Sequence, residues 1–276
     1  MRALALVALL LLVPGCAAPA QPTLILGTTT TTQDSGLLDV LLPAFENDTG
    51  IHAKAVVAGS GEILAKAARG DVDVLLAHSR AAELQLVAAG DGTARRPVMF
   101  NRFLLVGPTE DPAGIASAPN ASLALQRVHE NASPFASRAD KSGTDVKEKS
   151  LWASAGLNAS TFPASWYKQT GSGQSQTLLL ADQTGAYALS DEATWANMRA
   201  HGQLGHLAIL FQNDPAALRN PYGVTPVNAT RHPGVHQDLA QRFADWITGP
   251  RGQAVVAAYR VGGAQVFFPD ADEPGG

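Results

Sequence analysis

The strongest constraint in this chain is the way short apolar runs alternate with amphipathic ones. Thr23–Gly27 reads as a buried strand, and Ser35–Asn47 places Leu37, Leu38, Val40, Leu41, Leu42 and Phe45 at helical spacing, with Pro43 as a kink signal. Ile51–Ala58 is a second strand, and Gly61–Arg69 a second helix with Ile63, Leu64, Ala67 and Ala68 on one face. Val72–Ala77 is a third strand, followed by a helix over Arg80–Ala89 that Gly90 closes. Strands that alternate with helices imply an α/β fold: a parallel sheet with helices on both faces.

The alternation then loosens. Pro97–Gly107 is a long extended segment broken by Pro108, and Thr109–Asn120 is loop. Leu123–His129, Thr144–Ala155, Gln176–Asp182, Thr194–His201, Val235–Thr248 and Gln253–Tyr259 read as helices. Pro134–Ser137, Trp166–Gln169, Leu207–Phe211 and Tyr222–Val227 read as strands. If the two long extended segments are crossovers, residues 23–100 and 228–268 form one lobe and 108–220 the other. Residues 101–107 and 221–227 are then hinges, and 269–276 a tail. A cleft between two lobes is the usual seat of a small ligand.

Composition narrows the function. With 46% hydrophobic residues, 276 residues can bury a real core. The net charge of -4 and the absence of a basic run argue against a nucleic-acid partner. The single cysteine, Cys16, excludes a disulfide scaffold and a cysteine-based zinc site. It follows the apolar stretch at residues 3–13 and Pro14-Gly15, an arrangement that resembles a lipoprotein cleavage box. Residues 1–22 are therefore expected to be a signal peptide and tether, with Cys16 lipidated; the alternatives are plain secretion after cleavage at Ala17 or Ala18, and a retained anchor. Five glycosylation sequons, at Asn47, Asn120, Asn131, Asn158 and Asn228, also point to export.

Three segments share one signature: a strand end, a run of hydroxyls or glycines, then a helix start. They are Thr28–Thr32 with Gln33-Asp34-Ser35-Gly36, Gly59-Ser60-Gly61, and Ser137–Thr144. Helix N-termini present unpaired N–H groups and partial positive charge. Ser and Thr hydroxyls add neutral donors, and Arg138 adds a charged fork that fits an oxyanion. Each segment alone is commonly just an N-cap. Together they would enclose a tetrahedral oxyanion.

The R-x-D-x-S-G-T stretch, here Arg138, Asp140, Ser142, Gly143 and Thr144, is similar to the anion-binding stretch of the phosphate-binding proteins of ABC transporters. Thr28–Leu37 resembles the T-T-T-S-T-x-x-S-G-L start of the tungstate-binding proteins of ABC transporters, as do Gly70–His78, Val98–Asn101, Val106–Pro108, Asp111–Ile115, Leu151-Trp152 and Trp166-Tyr167. The resemblance runs from Leu24 to about Phe268. It implies a type II periplasmic-binding-protein fold of two lobes. It implies first-lobe donors at Thr29, Thr30, Thr31 and Ser60, and second-lobe donors at Arg138, Ser142, Gly143 and Thr144. Two positions depart from the pattern: Thr31 stands for the usual serine, and Ala139 for the usual glycine. If that glycine needs positive φ, Ala139 costs roughly 1–2 kcal/mol.

The implied activity is that of an extracellular solute-binding component, tethered outside the cytoplasmic membrane. It would be a monomer that takes up tungstate or molybdate and works with permease and ATPase subunits. It would have no cofactor, no metal and no catalytic residue. Monohydrogen phosphate carries a proton and needs an acceptor, whereas tungstate, molybdate and sulfate need donors only. Asp140 is a candidate acceptor, or a partner that orients Arg138. His78 stands where phosphate-binding proteins resemble one another in having an aspartate, and as a donor it suits a fully ionised ligand. The alternatives are a molybdate, sulfate or phosphate receptor of the same fold, a phosphoester-acting enzyme with Asp140 and His78 as acid and base, or a plain cell-surface structural protein. No nucleophile pair supports the enzyme. His232 and His236 are four apart, but Pro233 and Gly234 between them disfavour a helical metal site. Gly171-Ser172-Gly173 reads as a turn or cleft lining, and the four tryptophans as core.

Overall fold

A computed structural model describes residues 21–272. Cys16 and the leader, together with the last residues of the tail, lie outside them. In chain order the elements are β1 (Thr23–Thr29), α1 (Thr30–Asp34), α2 (Leu38–Thr49), β2 (His52–Ala58), α3 (Ser60–Ala68), β3 (Val74–Ala77), α4 (Arg80–Ala88) and β4 (Arg96–Pro108). Next come α5 (Ala121–Glu130), β5 (Phe135–Ser137), α6 (Gly143–Ser154), β6 (Tyr167–Gln169), α7 (Gln174–Thr184), β7 (Tyr187–Asp191), α8 (Glu192–Ala200) and β8 (Leu207–Phe211). The chain ends with α9 (Pro215–Leu218), β9 (Arg219–Pro226), α10 (Gln237–Thr248), α11 (Pro250–Ala258), β10 (Arg260–Val261), β11 (Ala264–Gln265) and β12 (Phe268–Pro269).

The strand order is β2-β1-β3-β9-β4-β7-β5-β6, with β8 and β12 also paired to β4. Successive strand–helix units give parallel pairs, β1 with β2 and β3, and β5 with β6 and β7. The expectation of a parallel sheet fails at the centre, where β4 is antiparallel to β9, β7, β8 and β12. The reason is directional. β4 carries the chain out of the first half and β9 carries it back, so the two pair head to tail.

β4 belongs to both halves. Its residues Arg96–Arg102 pair with β9, while Phe103–Val106 pair with β7 and Leu105–Pro108 with β8. The pairing of β9 begins at Arg219, ahead of the expected crossover at 221–227.

Four apolar clusters cover the two faces of each half. On β3, Val74 and Leu76 pack with Leu38, Leu41, Phe45 and Phe243 on one face, while Leu75 and Ala77 pack with Ile63 and Leu86 on the other. On β4, Phe103 and Leu105 join Trp152 and Tyr167, whereas Leu104 and Val106 join Leu178 and Trp195. Alternating residues of one strand thus feed two cores, which is the period-two geometry of a sheet buried on both sides.

The expected helix over Ser35–Asn47 is α2, which starts later, at Leu38; the short α1 precedes it, and the two are parted near Gly36, whose φ is +77°. The threonine run winds into α1 because Thr29 caps it, its Oγ1 accepting from the Thr32 N–H at 3.3 Å. Strand β7 and the β10–β11 hairpin are additions to the sequence reading. Among the described residues, no helix is long and apolar enough to cross a membrane.

Candidate functional site

Arg138 follows β5 directly and is 1% exposed. Its loop ends at the N-cap of α6, where Ser142 Oγ accepts from the Asp145 N–H at 3.2 Å. The Asp145 carboxylate reaches back and accepts from Ala139 N–H at 3.1 Å and Lys141 N–H at 3.0 Å. Both of those residues have positive φ, +48° and +60°. Ala139 therefore sits in the left-handed region that its glycine counterpart would occupy freely.

The guanidinium is held from several sides. Arg138 Nε and Nη2 donate to Asp140 Oδ2 at 3.1 and 2.5 Å, and Ser142 N–H donates to Asp140 Oδ1 at 3.1 Å. Arg138 Nη1 donates to Thr144 Oγ1 at 3.4 Å and, across to the first half, to Thr31 Oγ1 at 3.2 Å. Thr170, in the Gly171-Ser172-Gly173 turn region before α7, donates to the Arg138 carbonyl at 3.3 Å.

The first half answers with hydroxyls and a helix start. Ser60 opens α3, and its Oγ accepts from Gly143 N–H at 3.1 Å, a second contact between the halves. His78 follows β3, with its ring stacked on Tyr222 at 4.8 Å. A side chain at Gly143 would place its Cβ 2.9 Å from His78 Cε1 and Nδ1, so only glycine lets the start of α6 lie this close to the ring. Nδ1 pairs with Asn220 Oδ1 at 3.1 Å, and Nε2 is buried without a partner. Burial, opposed by the Asn220 bond and reinforced by the Arg138 charge, brings the His78 pKa down to about 4.

The structure thus brings Thr31, Arg138 and Thr144 together, and beside them Ser60, His78, Ser142 and Gly143. Thr29 is committed to capping α1, and Thr30 is its half-buried first residue. Asp140 lies against Arg138 with both oxygens engaged. His78 meets Asn220 through Nδ1, which leaves Nε2 as the buried ring nitrogen without a partner. A cavity of about 500 Å³ opens beside the cluster and includes Ser60, His78, Gly143, Val146 and Lys147 in its lining.

Several residues with structural roles here escaped the sequence reading. Asp34, at the end of α1, accepts from Ser175 Oγ of α7 at 3.1 Å, and its carbonyl accepts from Asn197 Nδ2 of α8 at 2.8 Å. Burial raises the Asp34 pKa. Asp191 caps α8 through the Thr194 N–H at 2.9 Å and accepts from Asn101 Nδ2 at 3.3 Å. Asp145 and Asp191 each begin or close a capping signature that the sequence displays, S-x-x-D and D-x-x-T; the strand asparagines Asn101 and Asn220 carry no such local mark. His232 and His236 pair separately with Asp91 and Asp73, both at 3.1 Å. Among the described residues, no group of three or more His, Cys, Asp or Glu could hold a metal.

Comparison with known proteins shows the family. The family model for the PBP superfamily domain matches residues 17–251. The chain is 41% identical over 282 residues to the tungstate-binding protein TupA of Peptoclostridium acidaminophilum, covering 97% of this chain and 96% of that one. The solved tungstate-binding protein TupA from Desulfovibrio alaskensis G20 superposes with a TM-score of 0.77 at 37% identity, covering 91% of this chain and 100% of that one. A solved tungstate ABC transporter protein from Geobacter sulfurreducens gives a TM-score of 0.78 at 41% identity, with 86% and 98% covered.

Proposed function

This chain belongs to the PBP superfamily and, within it, to the tungstate-binding proteins of ABC transporters, and we propose that it captures tungstate outside the cytoplasmic membrane and delivers it to a permease powered by an ATPase subunit. In this reading Cys16 carries a lipid that tethers the protein, and no chemistry is done on the ligand.

The observation that carries the proposal is Arg138. Its guanidinium, 1% exposed, is paired on one edge with the Asp140 carboxylate, while Nη1 on the other edge meets the neutral hydroxyls of Thr31 and Thr144, so that edge can also serve an anion. Here it lies between Thr31 of one half and Thr144 of the other, close to the N-termini of α3 and α6. Thr29, Thr30, Thr31 and Ser60 would supply donors from the first half. Arg138, Ser142, Gly143 and Thr144 would supply them from the second. Neutral hydroxyls and amides in a dry site stabilise a dianion without adding net charge. Asp140 already accepts three hydrogen bonds, two from Arg138 on Oδ2 and one from Ser142 N–H on Oδ1, so it is turned to holding the loop more than to accepting a proton from hydrogen phosphate. This supports a fully deprotonated ligand.

Binding would close the lobes about two hinges, one where β4 passes from β9 to β7 at Arg102–Phe103 and one in the 212–218 segment. Titration calorimetry with tungstate, molybdate, sulfate and phosphate in one buffer tests the reading. Tight tungstate binding is expected, with sulfate and phosphate weak. Arg138→Ala is expected to weaken tungstate by about 10²–10³-fold while the far-UV spectrum is kept. Tight phosphate binding, or an unchanged affinity in the variant, would overturn it.

A further inference from the structure

Four side chains on four adjacent strands or strand ends form one hydrogen-bonded line. Asp191, at the end of β7, accepts from Asn101 Nδ2 of β4 at 3.3 Å. Asn101 Oδ1 accepts from Asn220 Nδ2 of β9 at 2.7 Å. Asn220 Oδ1 then meets His78 Nδ1, beyond β3, at 3.1 Å. All four residues are buried. The line has a fixed sense. Asp191 Oδ1 also accepts from the Thr194 N–H, so it is an acceptor, and Asn101 must point its amide nitrogen at it. Each amide then hands on the same polarity, and the last bond is donated by His78.

We propose that Asp191, Asn101 and Asn220 are positioning residues that hold His78 as its Nδ1–H tautomer, leaving the buried Nε2 lone pair among the donors of the anion site, and that entry of a fully deprotonated oxyanion draws a solvent proton onto Nε2. The second half of this inference rests on the oxyanion-receptor reading; the first does not.

The charges around the ring explain the sequence of events. Arg138 acts on it directly, and Arg80, Lys141, Lys147 and Arg219 line the same cavity. Glu83, which accepts from the neighbouring Ser79 N–H at 2.6 Å, is itself paired with Arg95 at 2.6 Å. Tyr222 stacks as a phenol whose pKa is raised by burial. Without an anion these cations and the dry surroundings keep Nε2 unprotonated. A dianion seated among the same donors reverses the sign of the local field, and a lone pair beside it is repelled until it takes a proton. The proton comes from water or buffer, and Nε2–H becomes a donor to the ligand. Hydrogen phosphate, bringing its own proton, would need no such uptake.

Two measurements decide this. Long-range ¹⁵N–¹H correlation spectra of histidine-labelled protein read the tautomer directly. His78 is expected as Nδ1–H in the native protein and as a mixture in Asn220→Leu. An Nε2–H tautomer in the native protein overturns the positioning role, whether or not the variant folds. Calorimetry with tungstate at pH 7, in buffers of differing ionisation enthalpy, counts protons. Uptake of about one proton per anion is expected, and its loss in His78→Gln. Tight binding with equal enthalpies in all buffers overturns the proton uptake. Failure to bind tungstate at all would instead refute the receptor reading and leave the spectra to decide the tautomer.

Discussion

Ala139→Gly should stabilise this protein, although it removes a methyl group next to the proposed site. Ala139 is held at φ +48° by the bond from its N–H to Asp145 Oδ1 at 3.1 Å. A residue with a Cβ in that region costs roughly 1–2 kcal/mol. Glycine removes that cost but adds about 0.5–1 kcal/mol of backbone entropy to the unfolded chain. The net gain is about 0.5–1 kcal/mol, and for a chain of this size it raises Tm by about 1–4 °C. Glycine keeps the N–H that bonds Asp145, so the loop and the placement of Arg138 are unchanged, and tungstate affinity should stay within about twofold. Differential scanning calorimetry of the unliganded protein tests the stability, and titration calorimetry the affinity. A Tm that falls by a degree or more would show that the loop carries no strain at Ala139. A tenfold loss of affinity at unchanged Tm would show that the alanine methyl, and not Asp145, shapes the loop.

Gly143→Ala should act in the opposite sense: its Cβ would meet His78 at 2.9 Å and push the start of α6 away from Ser60, lowering tungstate affinity by tenfold or more with little change in the circular dichroism spectrum. Glu148 is buried against Tyr167 at 2.6 Å and Trp152 at 3.2 Å, and burial pushes its pKa up to about 7 from the ordinary 4.5. A carboxyl whose folded pKa is raised binds its proton more tightly when folded, so its contribution is intact below about pH 4.5 and is lost as pH rises through 7. Glu148→Gln keeps the accepting Oε1 without the charge, and urea unfolding should show it gaining about 2 kcal/mol on the native protein between pH 5 and pH 8.5. No pH dependence of that difference would place the Glu148 proton elsewhere.

What the sequence reveals of this fold follows from where its periodicity survives. Apart from α1, the units from Thr23 to Ala88 are legible because their helices carry apolar residues at helical spacing and their strands are bounded by glycine or polar residues. β7 is hidden because all five of its residues are buried, so neither period is printed on them. α1 is hidden because threonines favour strands, and the cap that Thr29 Oγ1 forms by accepting from the Thr32 N–H leaves no mark in the sequence pattern. The antiparallel centre is hidden because the partnership of β4 with β9 joins residues more than a hundred positions apart. The site shows the same divide. Arg138, Ser142, Gly143 and Thr144 stand in one local motif, whereas Asn101 and Asn220 acquire their role only from each other, across 119 residues.

The interleaving of the two halves has a consequence for how the chain is made. The core beneath β1 and β3 includes Tyr222, Val224, Phe243, Ala244, Ile247 and Val256, all from the last quarter of the sequence. Residues emerging first therefore cannot complete a cooperative unit until the last ones are free to dock. The segment 108–211, by contrast, contains most of the partners it needs. A chain with this wiring is expected to complete its middle segment before its first, an order that pulse-labelled hydrogen exchange during refolding would check. In the proposed site, which sets Thr31 against Arg138 and Ser60 against Gly143, capture of the oxyanion would then wait on the docking of the final helices.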